Sequence, residues 1–160
     1  MEPTAQNSLF NSFRGFNLPY FCFIGRTQPV EEDDFRWISD WGFSFVRLPL
    51  TYTNWIHDDD PFKIDETWLE NIDSVVSLAQ KYSLHLCINF HRAPGYCTAA
   101  QRTEPFSLWK DNEACDALCL HWHTFAQRYR DISPQELSFN IVNEPGAAGA
   151  ALIDLQLHTV

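Results

Sequence analysis

The strongest constraint on this fold is the alternation of short, β-prone apolar runs with longer amphipathic segments. Strands are predicted over 13–18, 43–48, 84–90 and 136–142, and helices over 31–41, 65–82 and 110–130. Alternating strands and helices predict an α/β fold, in which helices cover a parallel sheet through right-handed crossovers. A doubly wound sheet and a (β/α)₈ barrel both fit this order. No Gly-x-Gly-x-x-Gly follows the first strand, which excludes the commonest dinucleotide-binding form.

The helices carry recognisable end signals and apolar faces. Asp65 is a predicted N-cap, and Gly42 is predicted to end the first helix. Apolar residues recur every three or four positions on the second and third helices, at Leu69, Ile72, Val76, Ala79 and Tyr82 and at Leu118, Trp122, Phe125 and Tyr129. These faces are predicted to pack on the sheet.

The net charge limits the kinds of molecule that the chain is expected to bind. The net charge is −10, from 11 basic and 21 acidic residues. Binding to a phosphate backbone needs clustered Lys and Arg, so a nucleic-acid partner is excluded. No apolar run is long enough to span a bilayer, so no membrane role is predicted.

Cysteine usage and the N-terminal residues bear on localisation. Five cysteines cannot all pair within one chain. Residues 1–8 lack the basic and apolar regions of a signal peptide. We therefore expect reduced thiols in a cytoplasmic protein, or a secreted protein if the true N-terminus lies upstream.

Polar residues follow three of the predicted strands where each strand ends. Arg47 is predicted at the end of the second strand, His91 at the end of the third, and Asn143 and Glu144 at the end of the fourth. The carboxyl ends of parallel strands in a barrel converge on one face, so these side chains are predicted to form a site. The plainer alternative is that strand ends are simply where polarity resumes.

Four stretches carry a family resemblance. They are RGFNL at 14–18, GFSFVRLPLTYTNW at 42–55, LHLCINFHRAPGY at 84–96 and LSFNIVNEP at 137–145. Together they resemble the first four strands and following loops of glycoside hydrolase family 5, the cellulase family. The resemblance implies a (β/α)₈ TIM-type barrel with only about the first four βα units present. Residues 1–145 would be the N-terminal half of the barrel, and 146–160 an atypical Gly/Ala-rich tail.

The resemblance also implies roles for the polar residues. Glu144 matches the catalytic proton donor, and Asn143 the residue that hydrogen-bonds the sugar 2-hydroxyl. His91 matches a histidine that shapes the subsite of the cleaved sugar, and Arg47 the arginine that orients the second carboxylate. Of the loop aromatics, Trp55 and Tyr96 are the predicted cleft-lining rings, with loop packing as their alternative.

The implied activity is hydrolysis of β-linked O-glycosidic bonds in a glucan-type carbohydrate with retention of configuration. No cofactor or metal is implied. Cys115, Cys119 and His123 share a helical face, but no fourth ligand is evident, and the thiols are predicted to pack in the core rather than bind zinc. The alternatives are an inactive carbohydrate-binding remnant and a truncated product without a function of its own.

The chain falls short of a whole barrel, which takes about 250 residues. The nucleophilic Glu of the family follows the seventh strand and is therefore expected to be missing from this chain. Half a barrel exposes strand edges and half a core. We therefore expect instability, self-association or pairing with a missing C-terminal half.

Overall fold

A computed structural model of the chain describes residues 13–23, 29–98 and 104–145. Its strands and helices are β1 (Gly15–Asn17), α1 (Glu32–Asp40), β2 (Phe45–Thr51), a 3₁₀ turn (Tyr52–Trp55), α2 (Glu66–Lys81), β3 (His85–Ala93), β4 (Tyr96–Cys97), α3 (Asn112–Arg128) and β5 (Leu137–Asn140). The predicted tail at 146–160 lies outside the described residues. No described helix is both long and apolar enough to cross a bilayer.

The sheet has the predicted parallel topology. Strands β1, β2, β3 and β5 run parallel and lie side by side in that order. The α/β prediction is therefore confirmed. The short β4 was not predicted, and it pairs antiparallel with the end of β3, between the predicted third strand and third helix.

Strands β2 and β3 each extend three residues beyond their predicted ends. In β2 the extension includes Pro49, which lies opposite Asn89 of β3. On the opposite side of β2, which faces β1, the residues two before and two after Pro49 form backbone hydrogen bonds. Arg47 O accepts from the Leu18 N–H, and the Thr51 N–H donates to Phe21 O. The backbone nitrogen of Pro49, which carries no hydrogen, faces the side of β2 where β1 has already ended. No hydrogen bond between β1 and β2 is therefore lost.

Alternate side chains divide the sheet into two chemically different faces. One face, here the helix face, is buried beneath the helices and comprises Val46, Leu48, Leu50, Leu86, Ile88 and Phe90. The Phe90 ring stacks on Trp122 of α3 at a centroid distance of 4.0 Å. The other face, here the polar face, carries Arg47, His85, Asn89, Ser138 and Asn140, which hydrogen-bond to one another across the strands.

The helix signals in the sequence are confirmed. Asp65 Oδ1 accepts a hydrogen bond from the Trp68 N–H at 3.0 Å, which caps α2. Gly42 follows α1 with a φ of 78°, the left-handed conformation that glycine adopts at helix ends. The buried face of α2 consists of Leu69, Ile72, Val75, Val76 and Ala79.

Candidate functional site

Arg47 is the centre of the polar face, but it lies in the middle of β2 and not at the end, as we predicted. Its Nη1 donates to Asn17 Oδ1 of β1 at 3.1 Å. Its Nη2 donates to Asn89 Oδ1 of β3 at 2.6 Å and to Asn143 Oδ1 at 2.8 Å. The guanidinium thus joins three strands, and its described partners are amide oxygens.

Asn143 is nine-tenths buried and is held at two points. Its backbone N–H donates to the Phe90 carbonyl at 2.9 Å, which extends the β5 pairing beyond the strand. Its side-chain oxygen accepts from Arg47, a donor that stays charged at all relevant pH values. Because this bond fixes which end of the amide is the oxygen, the Nδ2 group is directed elsewhere as a donor.

Sequence reasoning missed Asn89 and Asn140. With Asn17 and Asn143 they surround Arg47, and these five residues are here called the Arg47 cluster. Asn89 is fully buried. Its Nδ2 donates to Asn140 Oδ1 at 2.6 Å, while its own Oδ1 accepts from Arg47. The available signal was an asparagine inside an otherwise apolar β-run, two positions before His91.

His91 occupies a bulge in β3. Leu50 pairs with Phe90 and the next residue, Thr51, pairs with Arg92, so His91 has no partner position on β2. Bulges re-aim side chains and are common beside active sites. The His91 Nδ1 is buried without a hydrogen-bond partner among the described residues.

The charge state of His91 follows from its surroundings. Burial and the Arg47 charge lower its pKa, and Glu144 partly opposes them. The imidazole is therefore neutral near neutral pH, so one ring nitrogen can donate a hydrogen bond and the other can accept one.

Glu144 follows Asn143 directly and its side chain is exposed. Its φ is 46°, in the left-handed region that residues other than glycine seldom adopt. The Tyr96 hydroxyl donates to the Glu144 backbone carbonyl. Its carboxylate is near enough to His91 to raise the pKa of that imidazole. The structure therefore brings Arg47, His91, Tyr96, Asn143 and Glu144 into one neighbourhood.

Trp55 is not at this site, and our prediction that it lines a cleft is wrong for this structure. Its ring is fully buried and packs against Phe90 of β3 and Phe125 of α3. Its indole N–H donates to His121 Nδ1 of α3 at 2.9 Å. The 3₁₀ turn folds this large ring back into the core, where His121 supplies the acceptor that a buried indole needs.

A pocket flanks His91 at the carboxyl ends of the strands. Its lining residues are Cys22, Phe23, Thr51, His91, Arg92, Cys97 and Thr98. Behind them, Glu104 forms a buried ion pair with Arg92 and accepts a hydrogen bond from the Tyr52 hydroxyl at 2.8 Å. This ion pair holds Glu104 against the ends of the strands, beside the pocket.

The thiols do not form a described metal site. None of the five cysteines is in a disulfide. No group of three or more His, Cys, Asp or Glu side chains within 13–23, 29–98 and 104–145 could hold a metal ion. Cys115 packs against the core and His123 is exposed, so these two side chains have different environments.

Comparisons with known proteins identify the family. Residues 3–155 match the family profile described as Cellulase (glycosyl hydrolase family 5). Cellodextrinase A of Ruminococcus flavefaciens is 35% identical over 116 residues, covering 72% of this chain and 33% of the relative. Endoglucanase C of Acetivibrio thermocellus is 30% identical over 115 residues, with the same coverage of 72% and 33%.

Solved structures show the same fold. A crystal structure of a glycoside hydrolase superposes with a TM-score of 0.86 at 34% identity, covering 91% of this chain and 47% of that one. A tri-modular subfamily 4 endo-β-1,4-glucanase from Bacillus licheniformis gives a TM-score of 0.76 at 26% identity, covering 96% of this chain and 30% of that one. The chain thus spans about a third of the length of the curated relatives, and its parallel strands form part of a TIM-type barrel.

Proposed function

The chain belongs to the cellulase family, glycosyl hydrolase family 5, and from this premise we propose that Glu144 is the acid/base of a retaining β-glycosidase acting on β-linked glucan-type carbohydrate. The observation that carries the proposal is the placement of Glu144 directly after Asn143, whose amide is fixed by Arg47. His91 lies close enough for the Glu144 charge to affect its pKa. A carboxyl group, an amide donor and a neutral imidazole together match the demands of glycoside cleavage.

The chemistry assigns a step to each of these groups. As the acid, Glu144 protonates the oxygen of the leaving sugar, and as the base it later activates the water that releases the product. The Asn143 Nδ2 donates to the sugar 2-hydroxyl, a bond that strengthens in the oxocarbenium-like transition state. His91 shapes the same subsite through its neutral ring.

Retention of configuration needs a second carboxylate about 5–5.5 Å from the first. Among the described residues, the side chains that accept hydrogen bonds from Arg47 are all asparagines. We therefore propose that the nucleophile comes from beyond the present sequence. The Arg47 charge would favour the ionised form of a carboxylate brought to this face.

The proposed substrate class follows from the relatives. The similar proteins are named as a cellodextrinase, as endoglucanases and as a probable glucan 1,3-β-glucosidase from Emericella nidulans. These names have β-linked glucose polymers in common but differ in linkage. The proposal for this chain is accordingly a β-glucan or a β-glucoside.

Hydrolysis assays test the proposal. The assay uses the chain completed with the sequence that supplies the second carboxylate, incubated with soluble β-glucans and a panel of aryl β-glycosides, beside its Glu144→Gln variant and the matched control Glu113→Gln, an exposed glutamate at the start of α3. Loss of general acid catalysis lowers rates by about 10²–10⁴-fold, so turnover should fall by that order only in Glu144→Gln. Equal turnover in Glu144→Gln and the unsubstituted chain would refute the acid/base role.

A second candidate function is a carbohydrate-binding remnant without catalysis. It is favoured by the asparagine side chains that accept the described hydrogen bonds of Arg47 and by a match that covers 33% of Cellodextrinase A. Calorimetric titration with a cello-oligosaccharide would then show binding, and chromatography would show that the sugar stays intact. Release of shorter sugars by the chain would rule this candidate out.

A further inference from the structure

We propose that Tyr96 is a positioning residue, which holds the Glu144 backbone in its left-handed conformation by donating its hydroxyl to the Glu144 carbonyl. This inference rests on the proposed function, because it concerns how the acid/base is presented. It assigns Tyr96 a role other than the lining of a cleft, which the sequence predicted.

The first argument is the conformation of Glu144. Its φ of 46° brings the side chain close to its own backbone, and a glutamate seldom adopts this region unless contacts hold it. The residue before it is already fixed, because Asn143 is bonded through its backbone to Phe90 and through its side chain to Arg47. The Tyr96 hydroxyl secures the next point along the chain, the Glu144 carbonyl.

The second argument is the rigidity with which Tyr96 itself is held. A tight turn at Pro94 and Gly95 folds β4 back on β3, with Ala93 opposite Tyr96. Gly95 has a φ of 75°, and a Cβ added there would lie 2.6 Å from the Leu108 nitrogen, so only glycine fits. The Gly95 carbonyl also accepts a hydrogen bond from the Leu108 N–H at 2.9 Å.

The Tyr96 ring is fixed from the side as well. Trp109 packs edge-on against it, with the ring centroids 5.1 Å apart. The hydroxyl is therefore presented by a restrained ring and not by a mobile side chain. The hydroxyl bonds the backbone carbonyl of Glu144, so this hydrogen bond does not involve the carboxyl group that transfers the proton.

The test is made on the isotope-labelled chain by NMR, with Tyr96→Phe, which keeps the ring and removes the hydroxyl. The one-bond Cα–Hα coupling of Glu144 distinguishes positive from negative φ. We expect the positive-φ coupling to be lost in Tyr96→Phe. The matched control is Tyr52→Phe, which removes another hydroxyl near the site, one bonded to Glu104 and not to Glu144.

The titration of His91 gives a second readout, which simple loosening of the fold would not reproduce. Glu144 raises the pKa of His91, while burial and Arg47 lower it. When Glu144 leaves its place, the His91 pKa should fall toward its value in Glu144→Gln. Tyr52→Phe should leave both the coupling and the His91 pKa unchanged.

Either of two results overturns the proposal. One is a Glu144 that keeps its positive φ, or a His91 that keeps its pKa, in Tyr96→Phe. The other is the same change in both tyrosine variants, which would indicate general loosening. Neither readout depends on turnover, so a failure here is distinguishable from a failure of the acid/base assignment in the Glu144→Gln assay.

Discussion

At the scale of single residues, His121 shows how burial in the core determines the protonation state of a histidine, which the sequence does not determine. The side chain is fully buried, and its Nδ1 accepts the Trp55 indole N–H. Burial lowers the pKa of His121 to about 4, and the Pro61 carbonyl opposes this only in part. His121 is therefore a neutral acceptor in the folded protein, while His123, two residues further along the helix, is exposed.

The lowered pKa of His121 predicts acid sensitivity. The unfolded chain takes up this proton near pH 6.5 and the folded chain only near pH 4, so stability is complete above about pH 6.5 and falls between these values. The loss is roughly 3 kcal/mol, since one pKa unit corresponds to about 1.4 kcal/mol. Urea unfolding at pH 7, 5 and 4 measures it. His121→Gln, which keeps an acceptor but does not titrate, should show a smaller loss over this range, and an equal loss would contradict the assignment.

At the scale of elements, α2 and α3 are joined by a clasp centred on Asp73. Arg128 of α3 donates to Asp73 Oδ1 from Nε at 2.7 Å and to Oδ2 from Nη2 at 2.5 Å. The Tyr129 hydroxyl donates to the same carboxylate at 2.9 Å. A two-point arginine–carboxylate contact that is partly buried is stronger than an ordinary surface pair.

Asp73→Asn tests this clasp. It removes the charge while keeping the shape, and we expect it to lower the free energy of unfolding by about 1–2 kcal/mol, measured by urea denaturation. The control is Asp131→Asn, which breaks the exposed Arg130–Asp131 pair at 3.5 Å. That change should stay within about 0.5 kcal/mol, and equal effects at the two positions would argue against a special role for Asp73.

The elements that could be predicted from the sequence are those determined by local pattern. Examples are the N-cap at Asp65, the end of α1 at Gly42 and the apolar face of α3. These features depend only on residues nearby in the sequence, so they could be predicted from it. The extension of β2 through Pro49 could not be predicted, because it depends on where β1 ends. The same is true of the β3 bulge at His91, which becomes visible only against the register of β2.

The site was predictable to a similar extent. Motif identity placed Arg47, His91, Asn143 and Glu144 together, and the structure brings them into one neighbourhood. Asn89 was missed because a polar residue in a buried strand has no assigned role until its cross-strand partners are known. Trp55 was misplaced because a turn aromatic can point into a cleft or the core, and only the acceptor on His121 distinguishes the two.

At the scale of the whole molecule, the described sheet has two open sides. Strand β1 pairs only with β2, and β5 only with β3, within the described residues. Large aromatic side chains lie exposed near these sides, at Phe16, Trp37 and Trp41 near β1 and at Phe139 in β5. Unpaired edges beside exposed apolar rings favour association, against which the net charge of −10 acts.

Sedimentation velocity over a range of concentrations tests this expectation. We predict that the chain forms species larger than a monomer, and that Phe139→Lys reduces them by placing a charge on the β5 edge. The control is Phe62→Lys, since Phe62 has a similar exposure of 42% but lies in a loop outside the sheet. A stable monomer at all concentrations, or equal effects of the two changes, would count against association through the edge.

The two-faced sheet has a consequence for how this sequence can change over time. Odd-numbered positions of β3 from His85 to Asn89 belong to the polar face, and the even-numbered positions beside them belong to the helix face. Deleting a single residue of β3 before Asn89 would exchange the two sets for the residues that follow, so that Asn89 would enter the helix layer and Phe90 would leave it. One lost codon would thus destroy the core and the Arg47 cluster together. Length variation in this protein is therefore expected to gather in the loops, while the strands vary by substitution alone.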